Sequence, residues 1–101
     1  MDELFAALSE PARRHMLDAL RLGERSAGEL ERALGMSQPA ASKHLRVLRQ
    51  AGLVHVRKDA QRRIYRLEPQ KLAELDTWLA DYRKFWNGAL GELARHLDRE
   101  V

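Results

Sequence analysis

The junction Gly35-Met36-Ser37 constrains this chain more than any other segment. A glycine closes one run of helical periodicity, and two residues later a serine opens the next. Glycine tolerates the left-handed backbone that stops a helix, and a serine hydroxyl accepts a hydrogen bond from the free amides at a helix start. The earlier run opens at Ser26, with Glu29 three residues on, the spacing of a capping box. Leu30 and Leu34 give it a buried side. The later run tolerates Pro39 in its first turn and carries Ala41, Leu45 and Leu48 at i, i+4 and i+7, one helical face. Gly52 supplies its stop. Two short helices joined by a tight glycine turn, over about residues 26–51, form a helix-turn-helix pattern.

The flanking segments complete the frame. Leu4, Phe5 and Leu8 predict a short amphipathic helix over about 2–8. Ser9-Glu10-Pro11 predicts a second start, with Ala12, Met16 and Leu20 on its inner side and a stop near Gly23. Beyond Gly52, Leu53-Val54-His55-Val56-Arg57-Lys58 and Arg63-Ile64-Tyr65-Arg66-Leu67 predict the two strands of a wing over about 53–67. The tip between them, Asp59-Ala60-Gln61-Arg62, lacks glycine and leaves the turn type open. One long helix follows over about 70–97. Its large apolar residues from Leu72 to Leu97 fall within a 140° arc at 100° per residue. Gly88 and Gly91 lie outside that arc, cost about 1 kcal/mol each relative to alanine, and make Asn87 a place for a bend. The expected fold is mainly α with a small β-hairpin: a single domain over 1–101, a winged helix-turn-helix of about five helices.

Charge is unevenly placed. Between residues 36 and 66 eight basic side chains face the single acid Asp59, while the whole chain carries only +3. A field this concentrated suits a polyanion. With 45% apolar and 33% charged residues the chain has the composition of a globular protein. No apolar run reaches the ~20 residues of a membrane span, and the start Met1-Asp2-Glu3 does not read as a secretory signal, so a cytoplasmic location is expected. Cysteine is absent, which removes disulfides, thiolate metal sites and a thiol nucleophile. The histidines at 15, 44, 55 and 96 lack the i, i+4 spacing of a helical ligand pair. No ordered motif for a nucleophilic serine or a phosphate loop occurs. No catalytic residue, metal ligand or cofactor is expected.

A helix fits the DNA major groove with its N-terminal part toward base edges. Opposite Leu45, the second helix of the pair presents Pro39, Ala40, Lys43, Arg46 and Val47, with Ser37 and Gln38 at its advancing end and Ser42 beside them. Gln pairs with adenine and Lys or Arg with guanine. Ser37 is first a helix cap. His44 lies between the inner and outer faces, so packing or a backbone hydrogen bond competes with DNA contact. Val47 packs on the hairpin or touches a thymine methyl. Arg57, Lys58, Arg62 and Arg63 crowd the hairpin tip, where a basic projection lies along phosphates or a minor groove. Arg49 and Gln50 stand far from the helix start and suit phosphate or solvent.

The stretch from Leu30 through Gly35-Met36-Ser37-Gln38-Pro39-Ala40-Ala41-Ser42-Lys43-His44-Leu45-Arg46-Val47-Leu48 into Arg49-Gln50-Ala51-Gly52-Leu53-Val54 closely resembles the DNA-binding core of the ArsR/SmtB-type regulators. Leu8-Ser9-Glu10-Pro11-Ala12-Arg13-Arg14 resembles that family's second-helix start, and Ile64-Tyr65-Arg66-Leu67 its returning wing strand. The resemblance covers about residues 1–70. It implies a winged-helix homodimer that represses its own operon by binding a near-palindromic duplex. The family's metal sites are not matched. The third helix lacks a cysteine pair, Trp78 stands where the Asp-x-His motif after Asp76 needs histidine, and Arg99 follows His96 where glutamate would be needed. The run Tyr82-Arg83-Lys84-Phe85-Trp86 resembles a non-metal-sensing subgroup often encoded beside lipid-binding-fold proteins.

The last helix carries more large apolar surface than a short helical core covers. The first and last helices are therefore expected to form a two-fold interface, with Leu4, Phe5, Leu8, Trp78, Tyr82, Phe85, Trp86, Leu90 and Leu93 in it. The competing reading of these aromatics is a pocket for a small-molecule effector. The competing reading of the whole chain is a winged-helix protein-interaction module that binds no DNA.

Overall fold

The computed structural model describes residues 1–100, with side chains through Asp98; Val101 and the Arg99 side chain lie outside the described residues. In chain order the elements are α1 (Asp2–Leu8), α2 (Pro11–Arg21), β1 (Arg25–Ser26), α3 (Ala27–Leu34), α4 (Gln38–Gln50), β2 (Val54–Asp59), β3 (Arg62–Leu67) and α5 (Pro69–Glu100). This is a winged helix-turn-helix with five helices, as expected. The sheet differs in one respect. It has three strands in the order β1-β3-β2, because Arg25 and Ser26 pair antiparallel with Tyr65 and Ile64. A two-residue strand has no period of its own, so only its partner, some forty positions on, reveals it.

Local signals account for most boundaries. The Ser26 hydroxyl accepts from the Glu29 amide at 3.1 Å while the Glu29 carboxylate accepts from the Ser26 amide at 3.1 Å. Both halves of the capping box are formed. Gly35 has φ +63, a left-handed stop with open space around it, so its backbone angle and not crowding calls for glycine. Ser37 accepts from the Ala40 amide at 3.3 Å and opens α4. The wing turns through only two residues, Ala60 and Gln61, between the paired Asp59 and Arg62. Ala60 takes φ 58, a conformation that usually selects glycine.

One core binds these elements. Leu4 and Ala7 of α1, Met16, Leu17 and Leu20 of α2, Leu30 of α3 and Ala41, Leu45 and Leu48 of α4 meet Leu53, Val54 and Tyr65 of the wing base. Two arginines fasten α1, whose last turn has no cation of its own. Arg13 donates to the carbonyls of Ala7 (2.8 Å) and Ala6 (3.1 Å), and Arg14 to that of Leu8 (2.6 Å). They satisfy the Ala7 and Leu8 carbonyls that a helix end leaves free, whereas the Ala6 carbonyl also accepts from the Ser9 amide and hydroxyl.

Helix α5 behaves differently. Its helical structure runs unbroken through Gly88 and Gly91. Among its described residues only Leu72 and Leu75 pack on the core as partly buried apolar side chains. The molecule measures 63 × 26 × 21 Å with a radius of gyration of 18.4 Å, against about 13 Å for a compact domain of this size. The excess is the projecting helix.

Candidate nucleic-acid interface

Helix α4 lies with Ala41, Leu45 and Leu48 buried and its other side open. Ser37, Gln38, Pro39, Ser42, Lys43 and Arg46 are exposed; Ala40 and His44 are half-buried. Val47 is half-buried against the core, which limits its outward reach. On the wing Arg57, Lys58, Arg62 and Arg63 are all exposed. The start of α3, Gln38 of α4 and Gln61, Arg62 and Arg63 of the wing tip line one open groove of about 860 Å³. The first turn of α4 and the wing tip thus share one concave surface, which isolated sequence segments do not disclose.

Arg32 and Gln61 also line this groove, and no local pattern marks either of them. Gln61 sits in a turn whose type the sequence leaves open, and Arg32 is one of several charges on α3. The groove also holds Glu29 and Glu31. Glu29 is held below the ordinary carboxylate value of 4.5, first by the Ser26 amide and then by the Ser26 hydroxyl, with smaller help from the charges of Arg62 and Arg25.

Besides the cap residue Ser37, two of the expected DNA contacts have protein partners. Arg57 donates to Glu24 at 2.8 Å, and this bond and the carboxylate's charge push its pKa up. His44 meets a side chain instead of a backbone group: its Nδ1 lies 3.3 Å from Nη1 of Arg13. A guanidinium only donates, so Nδ1 accepts and the imidazole proton sits on Nε2. The same arginine that closes α1 therefore sets which nitrogen of His44 presents a donor.

The residues expected between two copies divide into two groups. Leu4 is 2% exposed and belongs to its own core, leaving little surface for a partner. Leu8 is half-buried against that core. Phe5 meets Trp78 edge-on with ring centroids 5.6 Å apart, and Trp78 lies 5.0 Å from Tyr82. Beyond them Phe85 (78% exposed), Trp86, Leu90, Leu93 and Leu97 lie open along α5. Among the described residues no three His, Asp or Glu side chains cluster as metal ligands, and no helix is long and apolar enough to cross a membrane.

The sequence model described as "Bacterial regulatory protein, arsR family" matches residues 10–56, from the start of α2 into the wing. An HTH-type transcriptional regulator of Mycobacterium tuberculosis, Rv2034, is 41% identical over 99 residues, covering 98% of this chain and 90% of that protein. This chain belongs to the arsR family of bacterial regulatory proteins. It is a winged helix-turn-helix regulator of the DNA-binding, transcription-controlling kind. The transcriptional repressor SdpR of Bacillus subtilis is 32% identical, over 81% of this chain and 91% of that one. The solved structure of an ArsR-like transcriptional regulator from Rhodococcus sp. RHA1 superposes with a TM-score of 0.77 at 28% identity, over 97% of this chain and 90% of that chain. The family match takes in the helix-turn-helix but stops short of α5, whereas this structural likeness extends across nearly the whole chain.

Proposed function

We propose that this chain is a homodimeric, cytoplasmic repressor that reads a near-palindromic operator in duplex DNA, that of its own operon. The observation that carries the reading is the open face of α4, where Lys43 and Arg46 stand exposed above a buried Ala41-Leu45-Leu48 side. In this reading Ser37, Gln38, Pro39, Ala40, Ser42, Lys43, His44 and Arg46 meet the major groove, and Arg57, Lys58, Arg62 and Arg63 meet phosphates or the minor groove. Arg57 either keeps Glu24 while it does so or exchanges that carboxylate for a phosphate.

The second copy is argued from α5. An aromatic side chain buries roughly 150–250 Å² when enclosed. Phe5, Trp78, Tyr82, Phe85 and Trp86, with Leu90 and Leu93, offer area of the order that stable interfaces use, about 800 Å² per partner. Two-fold pairing sets two recognition helices about 34 Å apart, one DNA turn. Repression is argued from relatives such as SdpR that carry that name.

Footprinting on the DNA upstream of the chain's own gene, with binding followed across a salt series, tests the whole reading. A protected, two-fold-related site bound by a dimer and weakening steeply with salt is expected. No affinity for any duplex would sink it and favour a protein-only module.

A further inference from the structure

The wing carries an arrangement that works against its own stability. Alternation puts Val54, Val56 and Lys58 of β2 on one face, opposite Leu67, Tyr65 and Arg63 of β3. The first two of these rungs pack on the core. The third is an exposed pair of cations, Lys58 directly across from Arg63, and like charges so placed repel. A third cation approaches from another element: Arg49, in the last turn of α4, lines one hollow with Val56, Arg57, Lys58 and Arg63.

Four of these five residues are cationic, and only one is compensated. Arg57 is bonded to Glu24. The other ion pairs among the described residues join Arg66 to Glu68, Lys71 to Glu74 and Arg83 to Asp76, so Arg49, Lys58 and Arg63 have no acidic partner there. Asp59, the acid nearest in sequence, stands opposite Arg62 instead. Three uncompensated charges thus converge over a valine.

We infer that this hollow seats a phosphodiester of the duplex backbone, gripped between the last turn of α4 and the wing by Arg49, Lys58 and Arg63. The inference rests on the DNA-binding reading above and adds a further point of attachment to it. Arg49 lies about 16 Å along α4 from its first residue. When the N-terminal part of the helix enters the major groove, its far end stands at the groove's rim, where backbone and not base edges runs. The wing's cations then divide by side. Lys58 joins Arg49 in this seat, Arg62 lines the groove beside Gln38, and Arg63 borders both.

The test measures operator and random-duplex affinity against salt for the parent, Arg49→Gln, Lys58→Gln, Arg63→Gln, the charge-keeping Arg49→Lys, and Arg21→Gln as a remote control. Each charge removal in the seat should flatten the log–log slope, by at most about 0.9 for the one phosphate the seat neutralises and hence at most about twice that per dimer, equally on both DNAs. Arg49→Lys and Arg21→Gln should keep the parent's slope. Lys58→Gln should also unfold no earlier than the parent, since it relieves a repulsion. A parent slope in Arg49→Gln, or a weakening confined to the operator, overturns the seat while leaving DNA binding intact. A parent without duplex affinity overturns both readings. Replacing chloride by inorganic phosphate at equal ionic strength separates the sources of the anion: saturable competition by phosphate assigns the hollow to a small free anion and overturns the proposal.

Discussion

Helices α4 and α5 carry the same kind of message, an apolar stripe at helical period, and the fold treats the two stripes oppositely. In α4 the stripe of Ala41, Leu45 and Leu48 is buried by the chain's own core, and the charged side faces out. Among the described residues of α5 only Leu72 and Leu75 find that core. From Trp78 onward the apolar side faces out as well. Amphipathicity tells which face of a helix avoids water; it does not tell which molecule supplies the cover. The first helix therefore displays chemistry for a polyanion, and the second displays chemistry for another apolar surface.

Charging the α5 stripe should break the comparison most severely. Phe85→Glu places a carboxylate at the most exposed aromatic of the stripe, so sedimentation should find monomers with an intact fold. Operator affinity should then fall by about 10²-fold or more, because two linked reading heads become one. A dimer that still binds operator would remove Phe85 from the interface and leave its exposure unexplained. On α4 the effect should be smaller and of another kind. Arg46→Ala or Lys43→Ala should stay dimeric, cost about 1–3 kcal/mol on the operator and relax sequence preference. Equal weakening on operator and random DNA would reassign them from bases to phosphates.

The smallest effect concerns the helix that leads into the turn. Glu29 holds its carboxylate below the ordinary value of 4.5 through the Ser26 amide and hydroxyl. A carboxyl whose folded pKa is depressed adds stability that is full above its unfolded value and lost as pH falls through the folded one. The parent should therefore lose more thermal stability between about pH 7 and about pH 3 than Glu29→Gln does. The variant's side-chain oxygen still accepts the Ser26 amide but does not titrate in that range. Equal losses in the two proteins would show that the capping box is not what acid weakens. Their difference also gauges how firmly the α3 side of the reading surface is held.

Much of this molecule was legible one turn of chain at a time. Capping by Ser26 and Ser37, the stop at Gly35, the inner face of α4 and the crowding of cations between residues 36 and 66 depend on neighbours within a few positions. Short-range periodicity and hydrogen-bond chemistry suffice to read them. Hence the helix-turn-helix and the residues on its outer face follow from the chain alone. Other features do not, because they join parts of the chain whose meeting no local pattern encodes. Ser26 doubles as a strand residue only because Ile64 comes alongside. His44 takes its tautomer from an arginine 31 positions earlier, and Arg57 finds Glu24 across 33. Leu4 turned inward while Phe85 stayed outside. The α5 stripe looks continuous as sequence, but the small core ends before the helix does, and that decides which apolar residues the chain leaves uncovered.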